Sequence, residues 1–177
     1  MLIISDASQF IQYATAETSL GLIVAAINQA GVCAIAVADT PDLLTRYLQK
    51  TFPTSGLHQA DEPLKPILAK LVRFVEAPNQ ALDLTLDMRG TAFQKQVWQA
   101  LTLIPAGSTA SYSDIALQIG SPKALRAVAN ACAANKLALA IPCHRVVRAD
   151  GGISGYRWGV DRKRELLRRE QQAALPN

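Results

Sequence analysis

The sequence predicts an α/β chain of the segregated, α+β kind. A small strand-rich α/β unit is expected over residues 1–88, and a mostly helical unit with a helix-turn-helix over residues 89–177. Three observations predict this. Short apolar runs of strand spacing crowd residues 13–38. From Thr91 onward apolar residues recur at helical spacing instead. The charge also shifts: residues 1–120 hold 7 Lys and Arg against 10 Asp and Glu, while residues 121–177 hold 11 against 4. At 177 residues, half of them apolar, the chain is long enough for one large domain or two small ones.

The first unit reads as follows. The opening MLIISDASQF has no basic stretch and no small-residue cleavage site, so it is not expected to be a signal peptide. The apolar stretch Leu20 to Ala38 is broken by Asn28, Gln29 and Gly31. It therefore predicts two antiparallel strands and a turn, not a membrane span. A helix follows Thr40-Pro41, with Leu43, Leu44 and Leu48 on one face. A second helix is predicted from Pro63 to Val75. LDLTLDM at 82–88 alternates, as a strand does. His58 falls in a polar loop and reads as solvated. Nothing in this unit points to chemistry.

The second unit opens on Thr91-Ala92-Phe93-Gln94, a capping-box pattern. The helix it starts carries Phe93, Val97, Leu101 and Ile104 on one stripe and ends before Pro105-Ala106-Gly107. A short helix is predicted over Ser113 to Gln118. Gly120-Ser121-Pro122 then forms a turn, with Ser121 as N-cap of a helix over Lys123 to Asn135. Helix, glycine-bearing turn and helix make a helix-turn-helix pattern. Leu125, Val128, Ala129 and Cys132 fall at i, i+3, i+4 and i+7, the buried stripe, which makes Cys132 an inert core cysteine. Lys123, Arg126, Ala127 and Asn130 fall on the opposite face, with Ala131 and Ala134 beside them. A basic face with small side chains can approach a DNA backbone closely, and the net positive charge of residues 121–177 fits a polyanion partner.

Three cysteines, Cys33, Cys132 and Cys143, stand at unrelated spacings. They predict neither a disulfide framework nor a zinc cluster, and a reducing, cytoplasmic compartment suits them. Cys143 differs in its neighbours, Ala140-Ile141-Pro142-Cys143-His144-Arg145-Val146-Val147. A free thiol titrates near about 8.5 and needs help to become a nucleophile. Adjacent residues in an extended segment point to opposite sides, so a direct bond from Cys143 to His144 is awkward and a bridging water is needed. Such a base needs a third group to orient it. Glu170 shares a helix face with Leu166 and Leu167, so its carboxylate points inward. It fits that role, and it equally fits an ion pair with Arg145 or Lys163.

The segments TAFQKQVWQAL, SYSDIA, KALRAVANACAANKLALAIPCHRVVRADG and SGYRWGVDRKRELLRRE, with PCHRV at 142–146, resemble the O6-alkylguanine-DNA alkyltransferases, the methylated-DNA–protein-cysteine methyltransferases. The resemblance is close from Thr91 to Glu170 and looser over 12–88. It implies a ribonuclease H-like first unit and a winged-helix-like second one. It implies that Cys143 accepts an alkyl group from O6 of guanine, or O4 of thymine, in duplex DNA, after the base is flipped out. His144 and Glu170 match the water-mediated relay that withdraws the thiol proton, and Asn135 the asparagine that braces the active-site turn. Arg126 matches the arginine that enters the stack, and Tyr112 the tyrosine that helps rotate the nucleotide and protonates the leaving base. Tyr156 matches the tyrosine that covers the flipped base. Trp158 lies in the same pocket loop, where some relatives carry a small residue; its ring should narrow the pocket in favour of methyl. Arg145, beside the pocket, is read as tying the motif to its surroundings.

The resemblance also implies that the helix-turn-helix is used in the minor groove, with Lys123, Ala127 and Asn130 near the DNA. No residue here could cleave a thioether and no cofactor motif is present, so the protein should act once. Expected partners are alkylated double-stranded DNA and no membrane, with the chain a monomer. The competing readings are a non-catalytic alkylated-DNA-binding or regulatory module, against which Cys143 argues, and a cysteine hydrolase, disfavoured by the adjacency of Cys143 and His144.

Overall fold

In the computed structural model, which describes residues 10–175, four strands form one sheet ordered β3-β2-β1-β4. They are β1 (Phe10–Thr18), β2 (Gly21–Asn28), β3 (Gly31–Ala38) and β4 (Gly56–Gln59). The first three are antiparallel neighbours, and β4 returns parallel to β1, pairing Phe10 with Gly56 through Tyr13 with Gln59. This is the strand-rich α/β architecture expected of the first unit. The reading of MLIISDASQF falls almost wholly outside the described residues.

Helix α1 (Pro41–Thr51) starts as predicted. Thr40 caps it by accepting from the Leu43 amide, and Pro41 occupies its first turn. Leu44 and Leu48 face the sheet, but Leu43 is 49% exposed, outside the stripe expected to hold it. Helix α2 (Asp61–Glu76) covers β1 and β2 with Leu64, Leu68, Leu71 and Val75. Two expectations need correction. His58 lies in β4, where its ring faces Phe10 at 5.8 Å, not in a loop. Residues 82–88 are extended but form only an isolated bridge, Leu86 to Val32, because just two backbone bonds reach β3 there. Alternation marked an extended, half-buried segment but could not supply a partner for every residue.

Helix α3 (Ala92–Thr102) begins with the predicted capping box, both arms of which are present. Helix α4 (Tyr112–Gln118) starts one residue before its predicted position, on a second capping box from Ser111 and Asp114. Helix α5 is shorter than expected, Leu125–Ala133. Ser121 is not its cap. Gly120, at φ 73°, ends α4 with Ser121 bonding back to the Ala116 carbonyl, and the Ser121 carbonyl then closes a separate turn on Ala124. The first turn of α5 projects beyond its neighbours, so Leu125 is 44% exposed and the buried stripe is Val128, Ala131 and Cys132. Ala131, expected outside, is buried, and its carbonyl accepts the Trp98 indole N–H at 2.8 Å.

Strands β5 (Ala110–Ser111) and β6 (Val146–Val147) form a short parallel pair. Helix α6 (Val160–Ala174) closes the chain. Its arginines reach back to the first unit: Arg162 bonds the Leu20 carbonyl and pairs with Asp39, and Arg169 bonds the Val75 carbonyl. One buried apolar cluster runs through both halves, from Ile11 to Leu166. Among the described residues no helix is long and apolar enough to cross a membrane.

Candidate active site

The segment 134–142, between α5 and the Cys-His-Arg triplet, is held against the sheet. The Ile35 amide bonds the Lys136 carbonyl and the Ala138 amide bonds the Ile35 carbonyl. Leu139 is buried at φ 69°, a left-handed conformation that a bulky residue keeps only when its surroundings demand it. Asn135, fully buried, is part of that demand. Its amide nitrogen donates to the Ile141 carbonyl at 2.9 Å and to the Cys143 sulfur at 3.2 Å, while its oxygen accepts from the Leu137 amide. One side chain thus fixes both the turn and the thiol.

Cys143, His144 and Arg145 form a single 3₁₀ turn, not the extended strand expected. In such a turn adjacent side chains do not alternate between opposite sides as they do in a strand. His144 is wholly buried; its Nε2 lies 2.7 Å from Glu170 Oε1. Its Nδ1 has no protein partner among the described residues. Glu170, in α6, also receives Arg145 in a two-pronged contact, Nε to Oε2 and Nη2 to Oε1, each 2.9 Å. The third guanidinium nitrogen donates to the Ile104 carbonyl at 2.6 Å. Both alternatives for Glu170 hold together: it orients the imidazole and it pairs with Arg145. Arg145, placed with the pocket residues in the sequence reading, has its guanidinium turned into this cluster.

The electrostatics follow from burial. Loss of hydration pushes the Cys143 thiol up to about 11, against the pull of Asn135 and Lys163. Burial also lowers the His144 value, outweighing the carboxylate beside it. For Glu170 burial works the other way and is overcome: bonds from His144 and Arg145 hold it at about 2. At neutral pH the resting cluster is a thiol, a neutral imidazole and an ionised carboxylate.

Around this centre, the Tyr112 hydroxyl lies 2.7 Å from Ser154 Oγ. Tyr156 and Trp158 meet edge to face at 5.3 Å, with Trp158 buried to 6% exposure. Arg126, Ala127 and Asn130 lie exposed on α5, while Lys123, expected inside that helix, lies exposed in the turn before it. Sequence reasoning missed Ser154 and misjudged Lys163. Lys163 is 1% exposed and donates to Ser154 and to the Val146 carbonyl, not to Glu170. Its position was legible: 163, 166, 167 and 170 share the i, i+3, i+4, i+7 stripe of α6.

The site combines two short helices joined by a glycine-bearing turn with a buried cysteine, imidazole and carboxylate. The family model described as 6-O-methylguanine DNA methyltransferase, DNA binding domain, matches residues 92–172. The chain is 42% identical over 131 residues to the methylated-DNA–protein-cysteine methyltransferase of Mycobacterium bovis, covering 73% of this chain and 79% of that protein. It belongs to the methylated-DNA–protein-cysteine methyltransferase family. It is also 51% identical over 162 residues to the bifunctional transcriptional activator/DNA repair enzyme Ada of Escherichia coli. That match covers 92% of this chain but 46% of Ada, so the chain spans about half the length of that relative. Among solved structures, Mycobacterium tuberculosis OGT in complex with DNA superposes with a TM-score of 0.80 at 32% identity, covering 92% of this chain and 94% of that one.

Proposed function

We propose that this chain repairs alkylated duplex DNA by direct reversal, moving a methyl group from O6 of guanine, and from O4 of thymine, to Cys143 in a single irreversible turnover. The observation that carries the reading is the buried thiol held by Asn135 beside an imidazole locked to Glu170. The names of the M. bovis and E. coli relatives and the DNA-bound M. tuberculosis structure support it.

In this reading Glu170 stabilises the imidazolium formed when His144, through a water on Nδ1, takes the Cys143 proton. The thiolate attacks the alkyl carbon, the carbon–oxygen bond breaks, and its electron pair stays with the guanine, which Tyr112 protonates. Arg126 enters the vacated stack. Lys123, Ala127 and Asn130 line the minor-groove contact, and Tyr156 and Trp158 enclose the flipped base. Residues 1–88 serve as scaffold and 89–177 as the alkyltransferase unit, in a cytoplasmic protein acting as a monomer. The product is a thioether that no group here can cleave. Intact mass after incubation with methylated duplex tests this: one methyl per chain, on Cys143, and then a plateau. Continued release of free methyl, or binding without any mass gain, overturns it.

Glu170→Gln keeps the size of the side chain and loses its charge. It should slow transfer by about 10²-fold, the scale of a positioned acid–base group, with little change in duplex affinity. It should also destabilise the fold by roughly 3 kcal/mol, since Arg145 is left buried without its anion. A thiol titration of Cys143 identical in both proteins would limit Glu170 to a structural role.

A further inference from the structure

A second polar chain lies near Cys143, and the transfer scheme above uses only its Tyr112 end. Lys163 Nζ donates to the Val146 carbonyl at 2.5 Å and to Ser154 Oγ at 3.0 Å, and Ser154 Oγ lies 2.7 Å from the Tyr112 hydroxyl. Lys163 is 1% exposed and Ser154 8%. Among the described residues Lys163 has no salt bridge; the carboxylate one stripe along α6, Glu170, is engaged by His144 and Arg145. A buried ammonium without an anion is costly unless something uses it.

We infer that Lys163, Ser154 and Tyr112 form a proton wire that delivers the proton taken up by the departing guanine. The inference rests on the alkyl-transfer reading above. The direction of the hydrogen bonds is fixed at one end. Ser154 Oγ accepts from the ammonium, so its own hydrogen is free to point at the Tyr112 oxygen. That leaves the Tyr112 hydrogen free to point at the substrate.

The step balances. The carbon–sulfur bond forms, the carbon–oxygen bond breaks, and the guanine keeps the electron pair. Tyr112 gives its proton to the base, Ser154 gives its proton to Tyr112, and Lys163 gives one of its protons to Ser154 and ends as a neutral amine. The charges also match. While Cys143 is a thiolate, it is the counter-charge for the ammonium; once it is a thioether that counter-charge is gone. The His144 imidazolium is paired with Glu170, so the Lys163 ammonium is then left without an anion while the base develops one, and proton transfer along the wire removes both of those charges. Burial already weakens the hold of Lys163 on its proton. Lys163 touches no reacting atom; it acts through Ser154 and Tyr112, as the source of the proton.

Two electrophiles separate this wire from a merely structural role. Transfer from O6-methylguanine in a duplex needs a proton for the leaving group. Alkylation of Cys143 by iodoacetamide expels iodide and needs none. Ser154→Ala should slow transfer from the duplex by about 10-fold or more while iodoacetamide alkylation keeps its wild-type rate. Ser154→Thr, which restores a hydroxyl, should recover most of the loss. Lys163→Met should slow both reactions, the duplex reaction more, because the thiolate also loses its cation. Intact mass gives the rates, and thermal melting checks that each variant is folded. A wild-type duplex rate in Ser154→Ala, or equal slowing with both electrophiles, overturns the wire while leaving the transfer reading intact. A wild-type protein that gains no methyl from the duplex overturns both.

Discussion

Cys143→Ala should take up no methyl from an alkylated duplex and still bind that duplex as the wild type does. The reason does not lie in thiol acidity. All three cysteines are buried, and burial pushes Cys33 and Cys143 up to about 11 and Cys132 up to about 12. What separates them is their neighbours. Cys33 points its sulfur at the Ala26 carbonyl across the sheet, 3.4 Å away, a contact that favours the protonated form. Cys132 lies within α5 against the core. Cys143 alone receives an amide N–H from Asn135 and sits in the same 3₁₀ turn as an imidazole anchored to a carboxylate. In the proposed function the duplex contacts fall to the exposed face of α5, which the substitution does not touch. Peptide mapping after long incubation is the check. Methyl found on Cys132 in the variant would mean that proximity to the DNA, and not the His144–Glu170 pair, selects the acceptor.

Parts of the site's geometry were legible in the sequence. Periodicity placed Glu170 on the inner face of α6, and the turn chemistry around Thr91 and Thr40 located two helix starts. The sequence was less legible where two local signals competed. Ser121-Pro122 looks like a cap and a first helical residue, but Gly120 had already committed the Ser121 amide to ending α4. The helix start therefore slid to Leu125, and a leucine expected in the core became exposed. The extended geometry assumed for Cys143-His144 failed for a related reason. A short apolar stretch gives no sign of a single 3₁₀ turn, and what holds this one is Asn135, eight residues earlier, together with Glu170, far along the chain. The Lys163–Ser154–Tyr112 chain joins three segments, so no local pattern could show it, although the stripe position of Lys163 was visible.

Arg126→Ala should slow transfer to duplex DNA by about 10- to 100-fold, because flipping a base out costs a few kcal/mol and each 1.4 kcal/mol is a factor of about ten. Arg126 is exposed in the first turn of α5, and among the described residues it has no salt-bridge partner, so truncation should barely alter folding. If its side chain stands in for the extruded base, removing it leaves the stack open and makes the flipped state harder to reach. Transfer from free O6-methylguanine should be unaffected, since nothing has to be flipped. A plain phosphate contact behaves differently: the loss would be mild and would show as a salt dependence of binding shallower by roughly 0.9 per contact. Rates on duplex and free base, measured with binding at several salt concentrations, separate the two. Equal slowing on both substrates would defeat insertion and place the damage inside the pocket. Geometry argues against that outcome: Arg126 is exposed on α5, whereas the side chains that fix the thiol and imidazole, Asn135, His144 and Glu170, are all fully buried.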